Sequence, residues 1–261
     1  MVEIYIGTMG FSYKDWEPAF YPKGLPAGEY LGYYSGFFNS VEVDSTFYGI
    51  PRLSSLERWA SLTPDDFLIC AKTPKAITHE AGLTNVEKEM KAFLEVMQQL
   101  GPKLGVILIQ LPPSFKATQA PFLAEFLGYL PGDVRYAVEF RNRTWYTPET
   151  VALLSSHQVC WAATEYGQLP KKVEATTDFQ YIRLIGQHRR FSLHDRVQMD
   201  VLTNLNWWQD RILELPDKVQ KIYGFFNNDY SGHAPATALK FMEMIGLRPA
   251  GTQPPQQGRL F

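Results

Sequence analysis

Short apolar runs recur along the chain, and the longer segments between them carry apolar side chains every three or four positions. A short continuous apolar run is typical of a strand buried on both faces, whereas the three-to-four spacing is typical of a helix with one buried face. The pattern predicts eight strands, at Ile4–Thr8, Val41–Thr46, Phe67–Lys72, Gly105–Gln110, Tyr136–Arg141, Cys160–Glu165, Tyr181–Ile185 and Ile222–Asn227.

The segments between these strands are helical in pattern, with one exception. In the third segment the apolar side chains form one stripe, at Val86, Met90, Phe93, Met97 and Leu100. The connection from Tyr166 to Asp178 is short, contains Pro170 and shows no stripe, so we expect it to be irregular.

Eight strand–helix units with no break in composition predict an α/β fold, a single (β/α)8 TIM-type barrel over residues 1–248. An open doubly wound sheet is the alternative, and it usually has a glycine-rich turn after its first strand. The turn Gly7–Phe11 lacks the third glycine at the required spacing, which disfavours that alternative. Residues 249–261 are rich in proline and glutamine and predict a flexible tail outside the barrel.

Composition and charge exclude several classes of protein. Hydrophobic residues make up 45% of the 261 residues, which is enough for a large core, and the net charge of −2 excludes nucleic-acid binding by bulk electrostatics. Nucleic-acid binding through a local basic patch is still compatible with this charge.

Cys70 and Cys160 have neither a disulfide pattern nor zinc-site spacing. The first residues are not typical of a signal peptide, and the longest aliphatic run, Val106–Ile109, is too short for a membrane span, so we expect a soluble cytoplasmic protein.

Polar side chains follow the predicted strands at their carboxyl ends, where barrel enzymes carry their chemistry. Alternation along a strand places Glu42 and Asp44 on one face, and Glu139 and Arg141 on another. Charges inside apolar strands predict either a buried ion-pair network or a ligand site, and the two are compatible. The candidate catalytic residues are Glu42, Glu139 and Lys72, and the candidates for binding a ligand or phosphate are Arg141, Arg183, Asn227, Asn228, Gln110 and Asp44.

Aromatic residues crowd the same predicted loops, which indicates a ligand with flat or ring-shaped parts. The candidate stacking residues are Tyr13, Trp16, Tyr48 and Trp145, and the alternative is that such rings simply plug the barrel mouth. No cofactor is assigned. His79 and His233 are the histidines placed to help hold a cation. A loosely bound Mg²⁺ or Mn²⁺ is one alternative that the sequence leaves open, whereas the spacing of the histidines disfavours a zinc site.

Seven motifs run in order along the chain: Gly7–Tyr13, Val41–Tyr48, Lys72–Pro74, Gln110–Phe115, Glu139–Arg141, Arg183–Gly186 and Phe226–Asn228. Together they resemble the YecE-like family, also called domain of unknown function 72. The resemblance implies a TIM-type barrel but no reaction. That fold is similar to xylose-isomerase-like barrels, including AP endonucleases of the endonuclease IV type, which suggests DNA binding. This chain departs from the family's usual residues at Met9, Phe11, Asp44 and Ile185.

The last five residues, Gln257 to Phe261, are similar to the short peptide that binds the bacterial sliding clamp. Gln257 would hydrogen-bond at a pocket rim, while Leu260 and Phe261 would fill an apolar cleft. A bacterial sliding clamp is therefore a predicted partner.

Three functions stay open from the sequence. The first is an enzyme of nucleic-acid metabolism, recruited to DNA by the tail. The second is a small-molecule enzyme, a lyase, isomerase or hydrolase, that acts on a sugar phosphate or similar anion with Glu42 and Glu139 as acid and base and Lys72 as electrophile or base. The third is a binding module without catalysis.

Overall fold

The computed structural model describes residues 2–167 and 169–249. Its nine strands are β1 (Glu3–Thr8), β2 (Ser40–Val43), β3 (Leu68–Lys72), β4 (Leu104–Gln110), β5 (Arg135–Glu139), β6 (Cys160–Trp161), β7 (Ala163–Tyr166), β8 (Phe179–Gly186) and β9 (Lys221–Phe226). Its α-helices are α1 (Tyr30–Tyr34), α2 (Leu53–Leu62), α3 (Glu87–Met97), α4 (Ala120–Gly128), α5 (Pro148–Ser156), α6 (Leu202–Leu213), α7 (Asn228–Ser231) and α8 (Ala234–Met244). The predicted clamp-binding residues Gln257, Leu260 and Phe261 lie outside the described residues.

The strands form two parallel sheets, one in the order β1-β9-β8-β7 and the other in the order β2-β3-β4-β5-β6. The prediction of an α/β fold built from parallel strands is therefore confirmed. One predicted strand is divided in two, because β6 pairs with β5 in one sheet and β7 pairs with β8 in the other. Ala162 stands between them, and its N–H still donates to Val138 O at 2.9 Å.

The two sheets also approach each other where β1 ends. Met9 and Glu42 form a parallel bridge, and the Gly10 N–H donates to Glu42 O at 2.7 Å. The approach is close enough that Gly7 has no room for a side chain, since a Cβ there would lie 2.0 Å from Ser40 O. Glycine is required at this position because only a hydrogen fits.

Two of the predicted strands end at least two residues earlier than the sequence pattern indicates. β2 ends at Val43, and Asp44 has helical backbone angles and precedes a 3-10 turn, Ser45–Phe47. The Thr46 hydroxyl lies 2.9 Å from Val43 O and 2.7 Å from Lys72 O, which stabilises the turn. The prediction that Asp44 belongs to this strand was therefore wrong, although the carboxylates of Glu42 and Asp44 both lie near Arg183 Nη2. β5 likewise ends at Glu139, so Arg141 follows the strand instead of belonging to it.

The described residues between β7 and β8 contain no helix, which agrees with the irregular connection predicted there. Successive residues of β4 belong to two different buried clusters, Ile107 to the larger one and Leu108 to the smaller one. Because side chains alternate along a strand, these clusters lie on opposite faces of the sheets. Both faces are thus covered, as parallel sheets require.

None of the helices in the described part of the chain is both long enough and apolar enough to cross a membrane.

Candidate functional site

Arg183 is the centre of a buried network of charges at the carboxyl ends of the strands. Its Nε donates to Glu42 Oε2 at 2.9 Å, its Nη2 donates to Glu42 Oε1 at 2.6 Å, and its Nη1 donates to Glu139 Oε2. All three side chains are buried. Because Arg183 lies on β8 and the carboxylates lie on β2 and β5, this one guanidinium connects the two sheets.

The remaining oxygen positions of the two carboxylates are also occupied. Arg141 Nε donates to Glu139 Oε1, and the Tyr181 hydroxyl donates to Glu42 Oε2 at 2.7 Å. Each oxygen of Glu42 and Glu139 therefore accepts at least one hydrogen bond. The buried ion-pair network expected from the sequence is present, and it contains both carboxylates that were the candidate acid and base.

The environments of the two carboxylates move their pKa values in opposite directions. Burial raises the pKa of Glu42, and Asp44 adds to this, while Arg183 acts against it. Burial also acts to raise the pKa of Glu139, but Arg141 and Arg183 outweigh it and lower that pKa to about 2. The difference arises because Glu139 contacts two guanidinium groups and Glu42 contacts one.

Lys72 is the cation of this region that has no ion-pair partner in the described part of the chain. Its Nζ lies 3.9 Å from the centre of the Phe47 ring. Among described residues no carboxylate oxygen lies within 4.0 Å of that nitrogen, and no hydrogen bond to it is formed. Burial and the Arg183 guanidinium lower the pKa of Lys72, although Asp44, Glu139 and Glu42 act in the opposite direction.

Arg141 contributes a second cationic group with free donors. Its guanidinium carbon lies 3.8 Å from the centre of the Tyr166 ring, so the guanidinium group packs against the face of that ring. Only its Nε donates a hydrogen bond within the described chain, which leaves both terminal nitrogens without a partner there. Those terminal N–H groups can therefore bind an anion.

His79 contacts the same Phe47 ring as Lys72, and Gln110 lies next to His79. His79 packs edge-on against Phe47, with ring centres 4.9 Å apart, and its Nε2 lies 3.4 Å from Gln110 Nε2. Burial lowers the pKa of His79, and the positive charges of Lys72 and Arg141 lower it further. The imidazole is therefore neutral at pH 7 and able to accept a proton.

Asp44 and Asn227 complete the polar groups around Arg183. Asp44 Oδ1 lies 3.9 Å from Arg183 Nη2 and is shielded from solvent with no hydrogen-bond partner among the described atoms. Asn227 Nδ2 donates to Met9 Sδ at 3.6 Å, and the same sulfur accepts from Arg183 Nη2 at 3.5 Å.

Asn228, by contrast, is buried, and its Oδ1 accepts from Trp16 Nε1 and from the Ala234 N–H, both at 3.0 Å. Its amide oxygen is thus used to hold the start of α8.

The four candidate stacking residues fall into two groups. Trp16 and Trp145 are 0% and 1% exposed, so their faces are covered by the protein's own side chains. Tyr13 is partly buried, and its hydroxyl donates to Met9 O at 2.8 Å. Tyr48 is 79% exposed and presents an open ring next to Phe47.

The two histidines considered for a cation lie in different settings. His79 belongs to the region just described, whereas His233 is buried and caps α8 by accepting from the Ala236 N–H. Within residues 2–167 and 169–249, no group of three or more His, Cys, Asp or Glu side chains is arranged to hold a metal ion.

Two members of the network were not among the sequence candidates, Tyr181 and Met9. Tyr181 precedes Arg183 by two positions on β8, so both side chains lie on the same face. That spacing was a signal available in the sequence. Met9 carried no such signal, because a thioether that accepts from Arg183 and Asn227 cannot be distinguished by sequence from one that fills a core.

A family model described as protein of unknown function DUF72 matches residues 5–259. The chain belongs to the DUF72 family. The UPF0759 protein YecE of Escherichia coli (strain K12) is 36% identical over 139 residues, which are 53% of this chain and 48% of that protein. The chain thus spans about half the length of this relative. The UPF0759 protein YunF of Bacillus subtilis (strain 168) is 26% identical over 281 residues, covering 97% of this chain and 98% of that protein.

Solved structures of DUF72 family proteins have the same fold. The protein from Thermotoga maritima is 30% identical, with a TM-score of 0.81 over 94% of this chain and 99% of that chain. The protein from Enterococcus faecalis V583 is 21% identical, with a TM-score of 0.76 over 95% of this chain and 99% of that chain. The resemblance read from the seven sequence motifs is thereby confirmed, and the family description carries no reaction.

Proposed function

We propose that the carboxyl ends of the strands bind a small anionic ligand, with a phosphate or carboxylate group held between Lys72 and Arg141. The observation that carries this proposal is that Lys72 Nζ and the terminal nitrogens of Arg141 have no partner in the described chain. Two cations close enough to lower the pKa of the same residue, His79, attract an anion. Arg183 is less available for that purpose, since each of its nitrogens already contacts a carboxylate.

In this proposal the two buried glutamates act as anchors. Their oxygens already accept hydrogen bonds from Arg183, Arg141 and Tyr181, so a proton transfer would first have to break one of these contacts. Glu139 fixes Arg141 in place through Nε and leaves the ligand-binding end of the guanidinium open. Lys72 takes the chemical role that the sequence also assigned to Glu42 and Glu139.

We further propose that the two sheets belong to a single (β/α)8 barrel over residues 1–248, with 249–261 as a separate tail. The support comes from both junctions between the sheets. At one, Met9 bridges to Glu42. At the other, the segment that contains β6 and β7 pairs with β5 on one side and β8 on the other. In such a barrel the proposed site would lie at the face where barrel enzymes bind their ligands.

The test is ligand-induced stabilisation. The melting temperature is measured with inorganic phosphate, glycerol phosphate, citrate, nucleoside monophosphates and divalent cations, for the parent chain and for Lys72→Met and Arg141→Met. Lys75→Met is the matched control, because Lys75 is exposed and pairs with Glu80 on the following turn. A ligand at 100 times its Kd stabilises by about 2.7 kcal/mol, which is readily measured. We expect an anion to raise the melting temperature of the parent and of Lys75→Met only. Equal responses in all four proteins would refute the site.

Nucleic-acid metabolism is a second candidate, supported by the exposed ring of Tyr48 and by exposed Arg189 and Arg190. The burial of Trp16 and Trp145 leaves fewer rings for stacking than the sequence indicates. Short single-stranded and abasic oligonucleotides at low salt decide between the candidates, with Tyr48→Ala as the variant. Binding that weakens in Tyr48→Ala and falls steeply with salt would favour nucleic acid. Absence of binding at low salt would remove this candidate.

Recruitment by a sliding clamp stays a prediction of the sequence. The double variant Leu260→Ala/Phe261→Ala should lose binding to a purified bacterial clamp, while the parent chain binds it. Equal binding by both proteins would refute the prediction that the tail binds the clamp.

A further inference from the structure

Lys72 occupies an unusual position for a lysine. It is the last residue of β3, most of its side chain is enclosed, and its Nζ rests on the face of Phe47 at 3.9 Å. A lysine at a protein surface normally keeps its ammonium in water or beside a carboxylate. Within the described chain, Lys72 has no carboxylate within 4.0 Å of its ammonium group, which lies against an aromatic ring instead.

The charges around Lys72 are held in place by the network. Arg183 is always positive, and its fixed bonds to Glu42 and Glu139 prevent it from moving away. Asp44, Glu42 and Glu139 favour the charged lysine, whereas burial and Arg183 favour the neutral amine and prevail. A lysine that is desolvated and next to another cation is the usual form of an amine nucleophile in proteins.

We propose that Lys72 is a nucleophile that forms an imine with the aldehyde or ketone carbonyl of an anionic ligand, whose charged group binds Arg141. This inference rests on the proposed anion site and names the reactive group of its ligand. It assigns separate tasks to the two unpartnered cations, since Arg141 holds the anion and Lys72 reacts with the carbonyl.

The reaction is a reversible condensation that needs no oxidant or reductant. The lone pair of neutral Nζ attacks the carbonyl carbon, a C–N bond forms, and the C=O π pair moves to oxygen, which takes up a proton. The nitrogen then loses a proton, and the hydroxyl group takes up another and leaves as water while the C=N bond forms. His79 is the group placed to carry these protons, because it packs against the same Phe47 ring and its imidazole is neutral.

The experiment is reductive trapping on the full chain. The protein is incubated with pyruvate, glycolaldehyde phosphate or uncharged glyceraldehyde in the presence of cyanoborohydride, which converts an imine to a stable secondary amine. Intact-mass and peptide mass spectrometry then locate the adduct. We expect one adduct per chain at Lys72 with a charged probe, forming faster than at surface lysines such as Lys75, because its lowered pKa enlarges the fraction of neutral amine. Lys72→Arg should abolish this adduct, and Lys75→Arg should retain it.

The role of Arg141 has its own readout. In Arg141→Met the charged probes should label Lys72 no faster than glyceraldehyde does, so the advantage of a charged probe over an uncharged one is lost. Labelling of Lys72 at the rate of Lys75 or Lys116 would overturn the inference, as would a full adduct yield in Lys72→Arg. If phosphate stabilises the parent but not Arg141→Met, and no adduct forms at Lys72, the imine is excluded and the anion site stands. If no anion stabilises the protein and charge does not affect labelling, both proposals fail.

Discussion

Glu139→Gln tests whether two guanidinium groups hold this carboxylate in its charged form. Its pKa of about 2 lies about 2.5 below the ordinary value of 4.5. At about 1.36 kcal/mol per pKa unit, this corresponds to ~3 kcal/mol of folding free energy at pH 7. Because the folded-state pKa is the lower one, the contribution is complete well above pH 4.5 and is lost as the pH falls through about 2.

The assay is urea unfolding followed by tryptophan fluorescence between pH 7 and pH 3. At pH 3 only ~1.5 kcal/mol of the Glu139 contribution is left, so the stability gap between parent and Glu139→Gln should narrow by ~2 kcal/mol. Terms that do not depend on pH cancel in this comparison. Glu80→Gln is the control, since Glu80 and its partner Lys75 are both exposed. The difference in unfolding free energy between the parent and Glu80→Gln should stay within about 1 kcal/mol between pH 7 and pH 3.

Glu42→Gln should show the opposite sign. Burial raises the pKa of Glu42, so its contribution to stability is complete below the ordinary value and is lost as the pH rises. The difference in unfolding free energy between the parent and Glu42→Gln should therefore shrink from pH 3 to pH 7. Over the same range the difference between the parent and Glu139→Gln should grow. A gap for Glu139→Gln that is equal at pH 7 and pH 3 would refute the reasoning about Arg141 and Arg183.

Two further predictions concern parts of the fold away from the site. Lys103→Met should lower the free energy of unfolding by about 2 kcal/mol in urea, because the buried ammonium donates to carbonyl oxygens at the end of α2, including Thr63 O at 2.7 Å. Gly7→Ala should destabilise by at least about 2 kcal/mol, because its Cβ would lie 2.0 Å from Ser40 O. Gly128→Ala in α4 is the control for Gly7→Ala, since a Cβ there meets nothing within 4 Å, and it should be neutral or stabilising.

The charged network could be predicted from sequence because a charge within an apolar strand needs a partner. Glu42 and Glu139 each stand among buried aliphatic residues, and Arg183 does so on β8. Three such charges in parallel strands leave few arrangements other than mutual pairing. What the sequence could not indicate is that Lys72, placed equally at a strand end, stays outside the network.

The features that the sequence did not predict depend on contacts between distant residues. The early end of β2 depends on Thr46, whose hydroxyl reaches Lys72 O on the neighbouring strand. Asn228 looks like a ligand-binding amide in sequence, but Trp16 and Ala234 occupy its oxygen. Nothing local distinguishes a tryptophan at a loop that faces solvent from one that packs inward, so the burial of Trp16 was not predictable either.

Glu42 joins the two sheets twice, through its backbone bridge to Met9 and through its side chain on Arg183. Met9 and Glu42 are near in sequence, but Arg183 follows Glu42 by 141 positions. Closing so long a loop is entropically slow, so the charged network can assemble only after most of the chain has been synthesised and has folded. A chain that lacks β8 would leave Glu42 in an apolar strand without its guanidinium partner, and Glu139 with Arg141 alone.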